Sequence, residues 1–78
     1  MPTLEVDGFR LTVNSRDEVG HKPHVHVIKA RAKVLITLDS LLMPYRLTGM
    51  KRQDVARARE LVAEHFAQLM EWWITFNG

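Results

Sequence analysis

His24-Val25-His26-Val27-Ile28-Lys29-Ala30-Arg31-Ala32-Lys33-Val34-Leu35-Ile36-Thr37-Leu38 is the stretch on which the fold turns. Both halves are rich in β-branched residues and only Ala30-Arg31 separates them, so the stretch predicts an antiparallel hairpin. With Val25 and Val27 inward beside Ala32, Val34, Ile36 and Leu38, alternation puts His24 and His26 on the opposite face with Lys33 and Thr37. Ile28 and Leu35 break the pattern by falling on that outer face, where they are expected to form a small apolar patch or to touch a partner.

Toward the N-terminus, Thr3-Leu4-Glu5-Val6 and Phe9-Arg10-Leu11-Thr12-Val13 flank Asp7-Gly8, a dipeptide able to supply the positive φ angles of a two-residue turn. A second hairpin is predicted there, with Phe9, Leu11 and Val13 inward and Arg10, Thr12 and Asn14 on the polar face beside the histidines. Ser15 to Pro23, with Gly20 and no apolar period, reads as a solvated connection. Toward the C-terminus, Asp39 to Met50 contains Pro44 and Gly49 and is expected to be a connection packed on the body, with at most one short turn. From about Arg52 to Thr75, the apolar positions Val55, Ala58, Val62, Phe66, Leu69, Trp73 and Phe76 step by three or four residues, and Leu61 and Trp72 widen the stripe. That spacing predicts one long helix. Trp72 and Trp73 point about 100° apart, so one of them is left for a partner. The expected fold class is α+β: an antiparallel sheet of about four strands in two hairpins, covered on one face by a long C-terminal helix, in a single domain of residues 1–78.

At 78 residues the chain has room for one small core, which argues against multi-step chemistry in a large cleft. An apolar fraction of 46% against 26% charged residues places it with globular rather than disordered chains. There is no cysteine, hence no disulfide, thiolate metal site or thiol nucleophile, and a reducing cytoplasm is the expected compartment. The longest apolar runs are only a few residues and the N-terminus lacks a signal-peptide pattern, so no membrane association is expected. The net charge of +2 is unevenly placed. Residues 10–52 carry nine Lys or Arg against Asp17, Glu18 and Asp39, while residues 53–78 carry two against four carboxylates. A basic sheet attracts phosphate backbones, which makes Arg10, Lys22, Lys33, Lys51 and Arg52 the candidate nucleic-acid-binding residues. Lys51 and Arg52 stand at the expected helix start, where free backbone donors draw anions. The alternative is that Thr48 or Lys51 merely caps a helix held by packing.

His21, His24 and His26 place three of the four histidines within six positions. Pro23 holds the chain extended as it comes into the strand, and His24 and His26 then project side by side about 7 Å apart. Two imidazoles one pleat apart can chelate a transition metal, with His21, Asp17 or Glu18 as third ligand, but the lack of cysteine and the positive surroundings weigh against it, and no metal or cofactor is assigned. One imidazole can instead take a ribose 2′-hydroxyl proton while the other protonates the leaving oxygen, with Arg10, Lys33 or Lys22 stabilising the phosphorane. His24, His26 and Arg10 are thus the candidate catalytic residues for RNA cleavage. The rings can also stack on bases or hydrogen-bond a partner protein. The plain alternative is that both are ordinary polar-face strand residues. Every functional use requires the two rings to emerge onto water, away from the long helix. His65, beside Phe66 on the helix, is given no chemistry.

Met1-Pro2-Thr3 before Leu4, then Asp7-Gly8-Phe9-Arg10, then Pro23-His24-Val25-His26-Val27, and a helix ending in a Trp-rich stretch together resemble the bacterial domain-of-unknown-function family numbered 4160 over nearly the whole chain. Pro23-His24-Val25-His26-Val27 is the most specific of these elements. The resemblance implies a stand-alone bacterial cytoplasmic protein whose gene often neighbours another small domain, as in a toxin and antitoxin pair, and it draws attention to Phe9, Arg10, His24 and His26. Lys51 and Arg52 depart from the family pattern, which has a small polar cap and a helix-start proline there. The leading expectation is one component of such a pair, engaging RNA through the basic, histidine-bearing sheet face, with cleavage as a further step. The alternative is a non-catalytic module that binds a small cognate protein through Ile28, Leu35 or the Trp72 surface, and a histidine-based metal-binding module comes third. A homo-oligomer is compatible with each.

Overall fold

Asp7 and Gly8 take φ angles of 52° and 80°, the pair of positive values that a type I′ turn needs, and fold β1 (Thr3–Val6) back on β2 (Phe9–Thr12). The computed structural model describes residues 3–13 and 23–77. The candidate ligands His21, Asp17 and Glu18, and the candidate phosphate contact Lys22, lie outside them. Ala30 and Arg31 turn β3 (His24–Lys29) into β4 (Ala32–Thr37), with Ala30 at φ 54° although it is not glycine. Leu11 pairs with Val27 and Val27 with Val34, so the alternation read from the sequence holds on the inner face.

A fifth strand corrects the expected four: β5 (Pro44–Thr48) lies in the stretch read as a connection and pairs antiparallel with β4. The sheet is a meander in the order β1-β2-β3-β4-β5. Asp39 brings the chain back. Its Oδ1 accepts hydrogen bonds from the Thr37 hydroxyl (2.8 Å), the Leu41 N–H (2.9 Å) and the Leu42 N–H (3.1 Å), and the Met43 N–H donates to Thr37 Oγ1 at 2.8 Å. These bonds satisfy the turn's backbone donors, as an Asx-type turn does. Pro44, which has no N–H to give a ladder, opens an edge strand where none is required. One extra residue on β5, with Arg46 at φ 51°, makes a bulge: Lys33 pairs with Thr48 and Leu35 with Tyr45.

The single long helix is also corrected. Residues 52–77 form α1 (Arg52–Glu64) and α2 (Phe66–Asn77), bent at His65, whose φ of −108° and ψ of 20° leave the helical region. The His65 N–H donates to the Leu61 carbonyl and the Leu69 N–H donates to the His65 carbonyl, so both backbone groups of His65 stay paired at the break. No Pro or Gly lies near it. Lys51 occupies the N-cap position without a side-chain cap, so packing holds the helix start.

Leu11, Val13, Val25, Val27, Val34, Ile36 and Leu38 of the sheet meet Val55, Ala58, Leu61, Val62 and Leu69 of the helices in one buried cluster. Burying each of these Val, Leu and Ile side chains contributes on the order of 1.5–3 kcal/mol. Polar clamps fix the helical layer over the hairpin turns. Lys29 Nζ lies 3.1 Å from Asp54 and 4.9 Å from the centre of the Phe9 ring. Arg57 bonds Asp7, and Arg59 donates to the Leu41 and Leu42 carbonyls. The hydrogen bond to Asp7 raises the Arg57 guanidinium above its ordinary value.

Candidate functional site

The pairing register arranges the outer face of the sheet into rows. Glu5, Arg10, Ile28, Lys33 and Thr48 form one row across all five strands, and Thr3, Thr12, His26, Leu35 and Tyr45 form the next. His24 opposite Thr37 begins a third. Adjacent rows are about 7 Å apart, so Arg10 and Lys33 stand diagonally beside His26 but two rows from His24.

His24 and His26 come together as the strand parity predicted, with ring centroids 5.2 Å apart. Their exposure is not what was predicted. His26 is half-buried, while His24 is only 3% exposed, which corrects the expectation that both rings emerge onto water: the uses that need two open imidazoles fall, and only a reading that rests on His26 alone remains. The cause is α2. Bent at His65, it reaches the end of the sheet where β3 begins and sets the Trp73 ring 5.2 Å from that of His24. Tyr45 stands edge-on to His24 at 6.2 Å. The sequence marks neither Tyr45 nor Trp73 for this site: Tyr45 sits in β5, which the local pattern does not show, and Trp73 belongs to a stripe whose spacing predicts a straight helix facing the inner side of the sheet.

Arg10 is exposed and pairs with Glu5, its Nε at 3.3 Å and its Nη2 at 3.2 Å from Oε1. A pair this open to water contributes at most about 1 kcal/mol and yields readily to a competing anion. Beside it lies a shallow groove of about 440 Å³ lined by Glu5, Gly8, Arg10, Ile28 and Ala30 among others. Lys33 is exposed on the same face. The other two described candidate phosphate contacts, Lys51 and Arg52, are not brought here. Lys51 lines a hollow at the start of α1 with Arg31, Thr48 and Asp54, and Arg52 lines a different groove between β5 and α1 with Leu47 and Arg59. The apolar outer-face patch is corrected as well: Leu35 is buried at 7% and Ile28 half-buried, so the two present little open apolar surface.

Chemically, the face offers one accessible imidazole, two cations about 10 Å apart across two strand spacings, and hydroxyls at Thr12 and Tyr45. Among the described residues no group of three His, Cys, Asp or Glu side chains is placed to hold a metal. No helix of the described residues is long and apolar enough to cross a membrane.

A family model described as a domain of unknown function (DUF4160) matches residues 8–74, a span that holds the whole of β2 to β5, α1 and most of α2. Comparison with curated proteins and with solved structures gave no match.

Proposed function

Since the chain belongs to the domain-of-unknown-function family 4160, we propose its function from the chemistry of its outer sheet face: it engages single-stranded RNA there, as one component of a toxin and antitoxin pair. The observation that carries this reading is the register row that sets exposed Arg10 and Lys33 on one face, diagonal to His26. Arg10 and Lys33 meet phosphates, and His26 offers a ring edge and face to an unstacked base. The Glu5–Arg10 pair opens when a phosphate replaces the carboxylate, at little energetic cost.

Cleavage, in this reading, falls to His26 rather than to a matched pair. His26 takes the ribose 2′-hydroxyl proton as that oxygen attacks phosphorus, the bond from phosphorus to the 5′-oxygen breaks to leave a 2′,3′-cyclic phosphate, and the imidazolium returns the proton to the departing 5′-oxygen, while Arg10 and Lys33 stabilise the charged phosphorane. His24, under Trp73, holds His26 in place.

Retention of a labelled single-stranded RNA pool on the full chain tests the reading. Binding should weaken steeply between low and moderate salt, and Arg10→Ala or Lys33→Ala should each flatten the logarithmic salt slope by about 0.7, the share of one phosphate contact. No retention at low salt, or a slope indifferent to both substitutions, would overturn it.

A further inference from the structure

We propose that the solvent side of α2 docks an amphipathic helix of a partner protein, which brings a Lys or Arg against Glu71. This surface is separate from the sheet face and does not depend on the RNA reading.

α2 is apolar over far more of its circumference than the body covers. Leu69 and Trp73 are its buried side. At 100° per residue, Met70, Ile74 and Ala67 fall within about 60° of one another and centre roughly 110° away from Leu69 and Trp73. Ile74 is 60% exposed, Ala67 is exposed and Met70 is half-buried. With Phe66, Glu71 and Thr75 they line an open groove of about 470 Å³. Side chains one turn apart on one face give the ridge against which a second helix packs.

Charge decides what that helix is. Glu71 is the only charged residue of α2 and stands about 40° beyond Ala67, at the flank of the apolar ridge. No hydrogen bond or ion pair joins it to another described residue. A second copy of the chain is a poor occupant. In a two-fold antiparallel pairing centred on Met70 and Ile74, each flank meets the same flank of its mate, so the two Glu71 carboxylates would face each other near the axis. A parallel pairing offers no cation either, because α2 contains no Lys or Arg. For the same reason the face attracts no phosphate backbone. A partner helix with an apolar stripe and a cation on its flank satisfies both the ridge and the carboxylate.

The test uses the full chain and two synthetic peptides. One has leucines at spacings of three and four with lysines on both flanks; its twin has glutamates in place of the lysines. Tryptophan fluorescence and backbone chemical shifts follow binding. The lysine peptide should bind about tenfold more tightly than its twin, shift Met70 and Ile74, and leave RNA retention unchanged. Glu71→Lys, an exposed change that does not touch the core, should invert the order of the two peptides. Equal affinity for both peptides, no binding by either, unchanged preference in Glu71→Lys, or a dimer in sedimentation that Ile74→Asp dissolves would each overturn the proposal. Failure here leaves the salt-slope experiment on Arg10 and Lys33 untouched, and the reverse holds as well.

Discussion

His24 and His26 share a strand face and nearly touch, yet their environments assign them different work. His24 is closed in by Trp73 and the neighbouring rings, so removing it leaves a hole and orphaned partners. We expect His24→Ala to lower stability by about 2 kcal/mol and His26→Ala by under about 1 kcal/mol, read as shifts in the urea midpoint. Equal effects would place both rings in the same environment and contradict the geometry. The turn residues carry a second expectation. Gly8 stands at φ 80° and a Cβ there would meet nothing within 4 Å, so Gly8→Ala isolates the backbone term. It should cost about 1–2 kcal/mol, whereas Ala30→Gly, at φ 54°, should be neutral or stabilising. Thermal melts of the two variants check the pair of signs.

The elements are joined less by their own propensities than by what crosses between them. β5 exists because Asp39 gathers three donors, so Asp39→Ala should cost about 1–2 kcal/mol and loosen the edge strand, visible as faster amide exchange at Tyr45 and Leu47. α1 is tied to the first hairpin by Arg57 and Asp7. The raised guanidinium value means that this pair's contribution is complete below the ordinary arginine range and fades only as pH rises through the raised value, so changes of pH near neutrality leave it alone. β2, β3 and β4 were legible because apolar residues recur at every second position over several residues. β5 was not, because Pro44 and Gly49 bracket it and the bulge at Arg46 breaks its period. A local signal did exist: a proline at the first position of a short strand is where an edge strand tolerates one. The bend at His65 had no such signal, since the stripe keeps its spacing across it. The change from six charged residues among the 13 of α1 to a single one among the 12 of α2 is the one hint that the two halves meet different surroundings.

Over the whole molecule, one buried cluster takes in residues from the first hairpin to α2. A chain of this size has a net stability of roughly 4–12 kcal/mol, so any single large core deletion consumes much of it. Trp73→Ala should lower the midpoint of the entire transition by about 3 kcal/mol, with circular dichroism and fluorescence melting together. An early, separate loss of helix signal would instead mark α2 as an independent unit. The charge distribution also belongs to this scale. The uneven placement of cations was readable from residue order, but which of them share a face depended on the path of the chain. Arg10 and Lys33 fall in one row, while Lys51 and Arg52 go to two other places.

Residue order alone determined the hairpins, the inward and outward sides of β2, β3 and β4, the helical character of the C-terminal third and the family, because each is written in a period of two or of three to four residues or in a contiguous motif. Tertiary structure alone decided that Trp73 seals His24, that Tyr45 joins the imidazoles and that one side of α2 is left apolar and uncovered. Those outcomes depend on a bend and a bulge, which rotate side chains in space without altering the local pattern from which a sequence is read.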